Sequence, residues 1–440
     1  MEDHIPRVQS PQLDNLKGED MSVALFTAVS GLGNFQTMLD VVSNNIANVN
    51  TTGYKSSRTN FQEMLSQTQL PSSRPTDGRG GRNPIQTGLG STVAAIDRVF
   101  TQGALEQTGI TTDLAITGDG FFIVDQGSIK SYTRNGNFSV DTEGYLVDSK
   151  GLYVQGWPAV DGVVDTDTGL DRVHIPLGEQ MIAKATEAVD MGGNLDAGQA
   201  VFSAGPPPTG GRFATEITVF DSLGEEYRVP VTFTKVAPSG TAASSWDWSA
   251  DFNGTNVGSG TVSYNSDGFF DLANSTGTPT VALTPTNGAA PLNVSLNLEG
   301  TSSFVTDGEY SILPSYQDGF SAGTLLSFDI SQTGVITGRF TNGQLRDLGQ
   351  IGMAFFTNPK GLQHTQDGLF IESGNSGVPQ IGQPATGPRG QLTPGALEMS
   401  NVDLTSEFSK MILAQRAFQA NSRVITTMDE ILTEVNNLKR

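Results

Sequence analysis

Hydrophobic positions recur every seven residues at both ends of the chain. From about residue 22 to 50, Leu25, Leu32, Leu39 and Ile46 keep that step, and Ala28, Phe35, Val42 and Val49 follow each of them by three. From about residue 402 to 438, Leu404, Met411, Phe418, Ile425 and Leu432 keep the same step, supported by Ala414, Met428 and Val435. This is an a/d seam, the pattern of helices that wind around partner helices. Ser22 suits the N-cap of a first helix beginning at Met21, and Gly53 can take the left-handed cap after its end near Asn50. Ser400-x-x-Asp403 has the form of a capping box opening the second. The faces away from the seams carry amides, among them Asn34, Asn44, Asn45, Asn48, Gln415, Gln419 and Asn421. Amides bond a neighbouring chain as readily as water, and helices depend on packing for most of their stability. Helices set by polymerisation are therefore expected. An intrachain two-helix stalk satisfies the same seam.

Between the ends the period changes to two. A buried strand is expected at Phe121-Phe122-Ile123-Val124, with turn signals at Asp119-Gly120, Asn135-Gly136 and Glu143-Gly144. Ile217 and Val219 alternate before Asp221-Ser222-Leu223-Gly224, and Tyr227, Val229, Val231 and Phe233 alternate after it, which predicts a hairpin. Trp246, Trp248, Ala250 and Phe252 predict one apolar face of a further strand. Residues 71–91 read as a linker by composition, with Arg74, Arg79 and Arg82 either solvated or docked on acidic neighbours. The order helix, β, β insert, β, helix is that of a chain which runs outward and returns. The expected fold class is α+β and nested. Residues 1–20 form a disordered extension, 21–52 and 398–440 a helical coiled-coil core, and 53–91 a connector. Residues 92–163 and 322–397 form an inner β domain, and 164–321 an outer β domain.

Composition narrows the function. The chain of 440 residues has 25 basic against 46 acidic side chains, a formal charge of −21, which argues against nucleic acid or an anionic membrane surface as partner. It has no cysteine, so disulfides, thiolate nucleophiles and Cys-ligated metals are excluded. No apolar run approaches the length of a membrane span. The first twenty residues lack the apolar core of a secretory signal.

Enzyme chemistry finds little to work with. The three histidines, His4, His174 and His364, stand singly. Asp161, Asp165, Asp167 and Asp171 cluster near Gly162 and Gly169, but the glycine is fifth from Asp165 where a calcium loop needs it sixth. The glycine clusters at 31–33 and 78–81 lack the strand-to-helix frame of a phosphate loop. No catalytic residue, metal or cofactor is expected. A different class of reading is a secreted β-rich binding or adhesion module, with Trp157, Trp246 and Trp248 as a ligand platform.

Four segments resemble the bacterial flagellar rod–hook family of axial proteins. NNIANVNTTGYKSSR (44–58) is similar to its N-terminal signature, and NVDLTSEFSKMILAQRAFQANSRVI (401–425) to its C-terminal one. GITTDLAITGDGFFIVD (109–125) with YTRNGNFSVDTEGYLVD (132–148) resembles its shared β-domain motif, and LGQIGMAFFTNPKGL (348–362) the return strand of that domain. Rod members lack anything like residues 164–321, and the insert containing ITVFDSLGEEYRVPVTFTK (217–235) is similar to that of hook members. A distal rod member with an enlarged insert is the alternative within the family. The resemblance implies a type III-exported subunit of an extracellular curved tube, a universal joint carrying torque to the filament. It also implies partners: other copies of the chain, a distal rod protein, the hook cap, a hook–filament junction protein and the export apparatus. Residues 1–20 precede the usual family start. The self-assembly residues are then Leu25, Leu32, Phe35, Leu39, Val42, Ile46, Val49, Leu404, Met411, Phe418, Ile425, Met428 and Leu432.

Overall fold

A computed structural model describes residues 12–438 apart from 126, 128, 179, 277 and 278, and only the backbone of residues 12–22 and of 367. The protein is mostly β with a long helix at each end. It divides into two compact units. Unit 1 takes in residues up to Ile175, Asp329–Ile336 and everything from Asp347, and unit 2 takes in Pro176–Phe328 and Thr337–Arg346. The boundary at Ile175 lies beyond the expected 163/164, because strand Tyr153–Val160 pairs antiparallel with both Val163–Val164 and Asp171–Arg172.

In unit 1, helix α1 spans Gln12–Ala47 and packs on α2, Leu404–Leu438. The expected start at Met21 with Ser22 as cap is corrected, since the helix already runs from Gln12. No proline separates the two positions, and the lone Gly18 costs a helix only about 1 kcal/mol. Residues 1–11 of the expected extension lie outside the described residues. Asp403, rather than Ser400, caps α2, its Oδ1 accepting from Thr405 N at 2.9 Å. After α1 a turn over residues 48–50 leads to Gly53 in the left-handed region at φ 69°. A Cβ there would collide with the Arg134–Asn135 peptide, so the position requires glycine twice over.

Four strands follow: β1 (Ser57–Glu63), β2 (Ser66–Leu70), β3 (Ile85–Gly88) and β4 (Ser91–Arg98). β1 pairs antiparallel with β4, and α1 lies against both. β2 pairs with β3, and bridges at Ser73–Arg82 and Thr76–Arg79 continue that ladder. The expected linker is thus a hairpin arm turning at Asp77-Gly78. Apart from Leu70 opposite Ile85 its pairing residues are mostly polar and none is buried, which hid the alternation.

Next come β5 (Leu105–Gln107), β6 (Leu114–Thr117), β7 (Phe121–Asp125) and β8 (Lys130–Thr133). Phe121, Phe122, Ile123 and Val124 are buried as the apolar run predicts. Phe121 meets both Phe356 and Phe370 edge to face with centroids within 6 Å. The chain returns along Met353–Phe355, paired with β7, and then along Gln391–Pro394 and Ala396–Glu398, paired with β6 and β5.

Unit 2 contains two four-stranded sheets. Arg212–Phe220 and Glu226–Val236 form the expected hairpin, with Ile217 opposite Val229, and Ser244–Phe252 and Thr255–Tyr264 extend it. The other sheet is built from Ala188–Asn194, Thr280–Leu283, Leu292–Ser302 and Leu313–Gln317. Their inward residues share one core containing Ile217, Val231, Phe233, Trp246, Trp248, Tyr264, Val294 and Leu296.

Candidate assembly surface and its anchor

The two helices meet around small side chains. A Cβ on Gly31 would strike the Asn421 amide, and Ala28, Val42 and Ala414 are buried. Leu32, one residue on from Gly31, lies about 100° further round the helix, so Leu25, Leu32, Leu39 and Ile46 flank this contact and stay half-buried. Val49, just beyond the end of α1, is half-buried as well. Phe35 turns toward the ribbon instead, its ring 6.2 Å from that of Phe61 in β1. In α2, Met411, Ile425 and Met428 are half-buried, whereas Leu404, Phe418 and Leu432 are exposed.

The helices are apolar well beyond that contact. Phe26 and Val29 on α1 are 57% and 56% exposed, and Ile412 and Leu413 on α2 are 53% and 64% exposed. Phe408, Val424, Ile431, Val435 and Leu438 are exposed as well. An uncovered apolar surface of this kind marks a contact with another molecule. The hairpin arm is exposed along nearly its whole length and carries Arg74, Arg79 and Arg82 against Asp77.

Polar residues fix the helix roots to the β structure. Asn45, fully buried, donates from Nδ2 to Ser57 O (2.8 Å) and Glu407 Oε2 (3.1 Å), while its Oδ1 accepts from Ser57 N (2.9 Å) and Tyr54 OH (3.2 Å). Lys410 Nζ reaches Glu407 Oε1 at 2.6 Å. Asn401 donates to Val99 O and Thr101 O and accepts from Ser56 N. Deeper still, Lys55 Nζ donates to Thr101 O (2.9 Å) and Glu398 Oε1 (2.6 Å), and Arg134 Nη1 to Glu398 Oε2 (3.4 Å). Burial pushes the pKa of both Lys55 and Arg134 down, with Glu398 opposing it. Among the described residues Arg134 Nε has no hydrogen-bond partner, and its guanidinium lies 5.3 Å from the Phe121 ring centre.

Sequence reasoning found the two helices, placed Asn45 among outward amides where the structure buries it within the chain, and missed Lys55, Arg134, Glu398, Asn401 and Glu407. One signal was available: Glu398 stands alone between Ala396-Leu397 and Met399, a charge inside an apolar run.

The residues set aside as chemistry hold local structure. Asp165 Oδ1 accepts from Asp167 N at 2.9 Å. His174 packs on Tyr145, and His364 packs on Phe370 with its pKa lowered by burial and by Arg98. His4 lies outside the described residues. Among the described residues no group of three or more His, Asp or Glu is placed to hold a metal ion. Trp157, Trp246 and Trp248 are all buried, which removes the proposed ligand platform, because their rings fill cores.

Four family descriptions match the chain in order. They are the flagella basal body rod protein at residues 25–55, the flagellar hook protein FlgE/F/G D1 domain at 115–189, the flagellar basal body protein FlaE D2 domain at 194–320, and the flagellar basal body rod FlgEFG protein C-terminal at 393–438. The chain is 39% identical to the flagellar hook protein FlgE of Borreliella burgdorferi, over 95% of this chain and all of that protein. Identity to the FlgE of Treponema pallidum is 37% over 96% of this chain and all of that protein, and to that of Escherichia coli 34% over 95% and all of it. The crystal structure of the Helicobacter pylori flagellar hook protein FlgE2 is alike in fold, with a TM-score of 0.52 at 16% identity, covering 67% of this chain and all of that one. By near full-length identity, the chain belongs to the flagellar hook protein family.

Proposed function

We propose that this chain is the structural subunit of the bacterial flagellar hook, the curved extracellular tube that passes torque from rod to filament while bending. The observation that carries the reading is the end-to-end likeness to FlgE proteins, including the insert at residues 194–320. The helices supply a physical route to assembly. Their outer flanks are apolar and uncovered, and the stripe Leu25, Leu32, Leu39 and Ile46 lies beside the intrachain contact, where the helices of adjacent copies would complete a coiled-coil core. The acidic chain and its cationic hairpin arm favour contact between copies through opposite charge. Interlocked helices resist a change of register, whereas acidic, Gly- and Ser-rich β surfaces offer few contacts that lock. An inner wall of the first and an outer wall of the second would give a joint that bends while turning. The distal rod protein, hook cap, hook–filament junction protein and export apparatus would be its partners.

The test is assembly of the purified full-length chain, followed by light scattering and electron microscopy. Curved tubes are expected. A straight polymer would favour a rod role, and a chain that stays monomeric under every assembly condition would refute self-assembly.

A further inference from the structure

We propose that the return strands Gln391–Glu398 act as a strap whose docking gates the closure of unit 1. β6 has Gln391–Pro394 as its only ladder partner among the described residues, and β5 has only Ala396–Glu398. β6 is not a peripheral strand: Leu114, Ala115 and Ile116 are fully buried, as are Leu392 and Ala396. Before the strap arrives, this part of the core has neither its hydrogen-bonding edge nor its apolar cover.

Charge makes the dependence sharper. Lys55 and Arg134 are both buried, and the only carboxylate that either bonds among the described residues is Glu398, which is 343 and 264 residues away along the chain. Glu398 also accepts from Gly103 N at 2.9 Å through Oε1 and from Gly53 N at 2.7 Å through its carbonyl. Gly103 admits the strap because a Cβ there would land on the Met399 carbonyl oxygen. One carboxylate thus bonds both buried cations and ties three distant segments. Without it, closing unit 1 would bury two positive charges with no counter-ion, which is strongly unfavourable. Solvating them instead means leaving the site open.

Unit 2 has no such dependence, since its core runs from Val189 to Ile312 within the unit. The device therefore works as a completeness check. Unit 2 closes on its own residues, whereas unit 1, with the roots of α1 and α2, closes only when the last tenth of the chain is present. This does not rest on the hook reading.

Two measurements on the full-length chain test it. In refolding from denaturant with pulsed hydrogen exchange, amides of Leu105–Gln107 and Ala115–Thr117 should gain protection in the same phase as those of Thr393–Glu398. Protection of Ala115–Thr117 in an earlier phase than the strap would overturn the proposal. At equilibrium, Glu398→Gln should raise exchange at β5 and β6 by at least about a hundredfold and leave Val229–Phe233 in unit 2 unchanged. A change of less than threefold at β5 and β6 would overturn it. Combining Lys55→Met, Arg134→Met and Glu398→Leu should restore protection by removing all three charges. A triple variant as open as the single one would place the defect in packing and overturn the charge argument.

Discussion

Replacing both Ile412 and Leu413 by Asp isolates the assembly surface, because these side chains are 53% and 64% exposed in the free chain and hold little of its interior together. Fully burying an Ile or Leu side chain is worth about 1.5–3 kcal/mol. In proportion to their exposure, covering both in a polymer contributes about 1.8–3.5 kcal/mol per subunit. At tenfold for each 1.4 kcal/mol, the concentration of free chain in equilibrium with polymer should rise about 20- to 300-fold. Two carboxylates forced into an apolar contact add a desolvation cost on top of that. The assay is sedimentation of assembled material at a series of total concentrations, with the supernatant concentration read out. Circular dichroism and thermal unfolding should match the parent chain. A supernatant concentration within threefold of the parent, with the fold intact, would refute burial of this flank on assembly.

Reversing the arm charges with Arg74→Glu, Arg79→Glu and Arg82→Glu should leave stability unchanged within about 0.5 kcal/mol while weakening assembly at low salt. Assembly equal to the parent in 20 mM and in 500 mM salt would exclude docking through the arm. Trp246→Ala removes a fully buried ring from the unit 2 core and should cost unit 2 about 3–5 kcal/mol, seen by calorimetry with the unit 1 transition unmoved. Acid should loosen unit 2. Burial alone would raise the Asp196 pKa, but Gln199 and the backbone N–H groups of Thr306, Gly198 and Gly308 outweigh it and hold the carboxyl at about 2, below its ordinary 3.8. Asp221 and Asp318 shift the same way. A depressed folded-state pKa gives stability that is complete above about pH 4 and lost as pH falls toward about 2. A unit 2 melting temperature that stays level from pH 5 to pH 2 would contradict this.

What the sequence made legible was whatever repeats with a fixed period. Ile217 and Val219 opposite Tyr227 and Val229 declared a hairpin because alternate residues had to face one core. Leu25, Leu32 and Leu39 declared a helix stripe in the same way. The arm was hidden because Ser73–Arg82 and Thr76–Arg79 pair with no buried face, so nothing alternates. The start of α1 was misplaced because Ser22 is a good cap that the helix does not use. The ion cluster was hidden for another reason: Lys55, Arg134 and Glu398 are ordinary surface types, and their meaning arises only from a meeting across hundreds of residues. The apolar neighbours of Glu398 hint at its burial, but no window along the chain contains its partners.

The hidden polar anchor and the legible apolar stripes divide one task. Glu407 and Ala414, the buried residues of α2, both lie in its first three turns, and Glu407 bonds Asn45 near the end of α1. Beyond Met428 every described residue of α2 is exposed, with Ile431, Val435 and Leu438 among them. The pairing is thus fixed at its root by hydrogen bonds of strict geometry and left open toward its tip, where Ile431, Leu432, Val435 and Leu438 are exposed among polar residues. An apolar stripe alone accepts many partners and registers, and a polar anchor alone offers nothing to assemble with. Joined in this order, the anchor sets the direction in which the helices leave the β strands of unit 1, and the stripes stay free for whatever covers them.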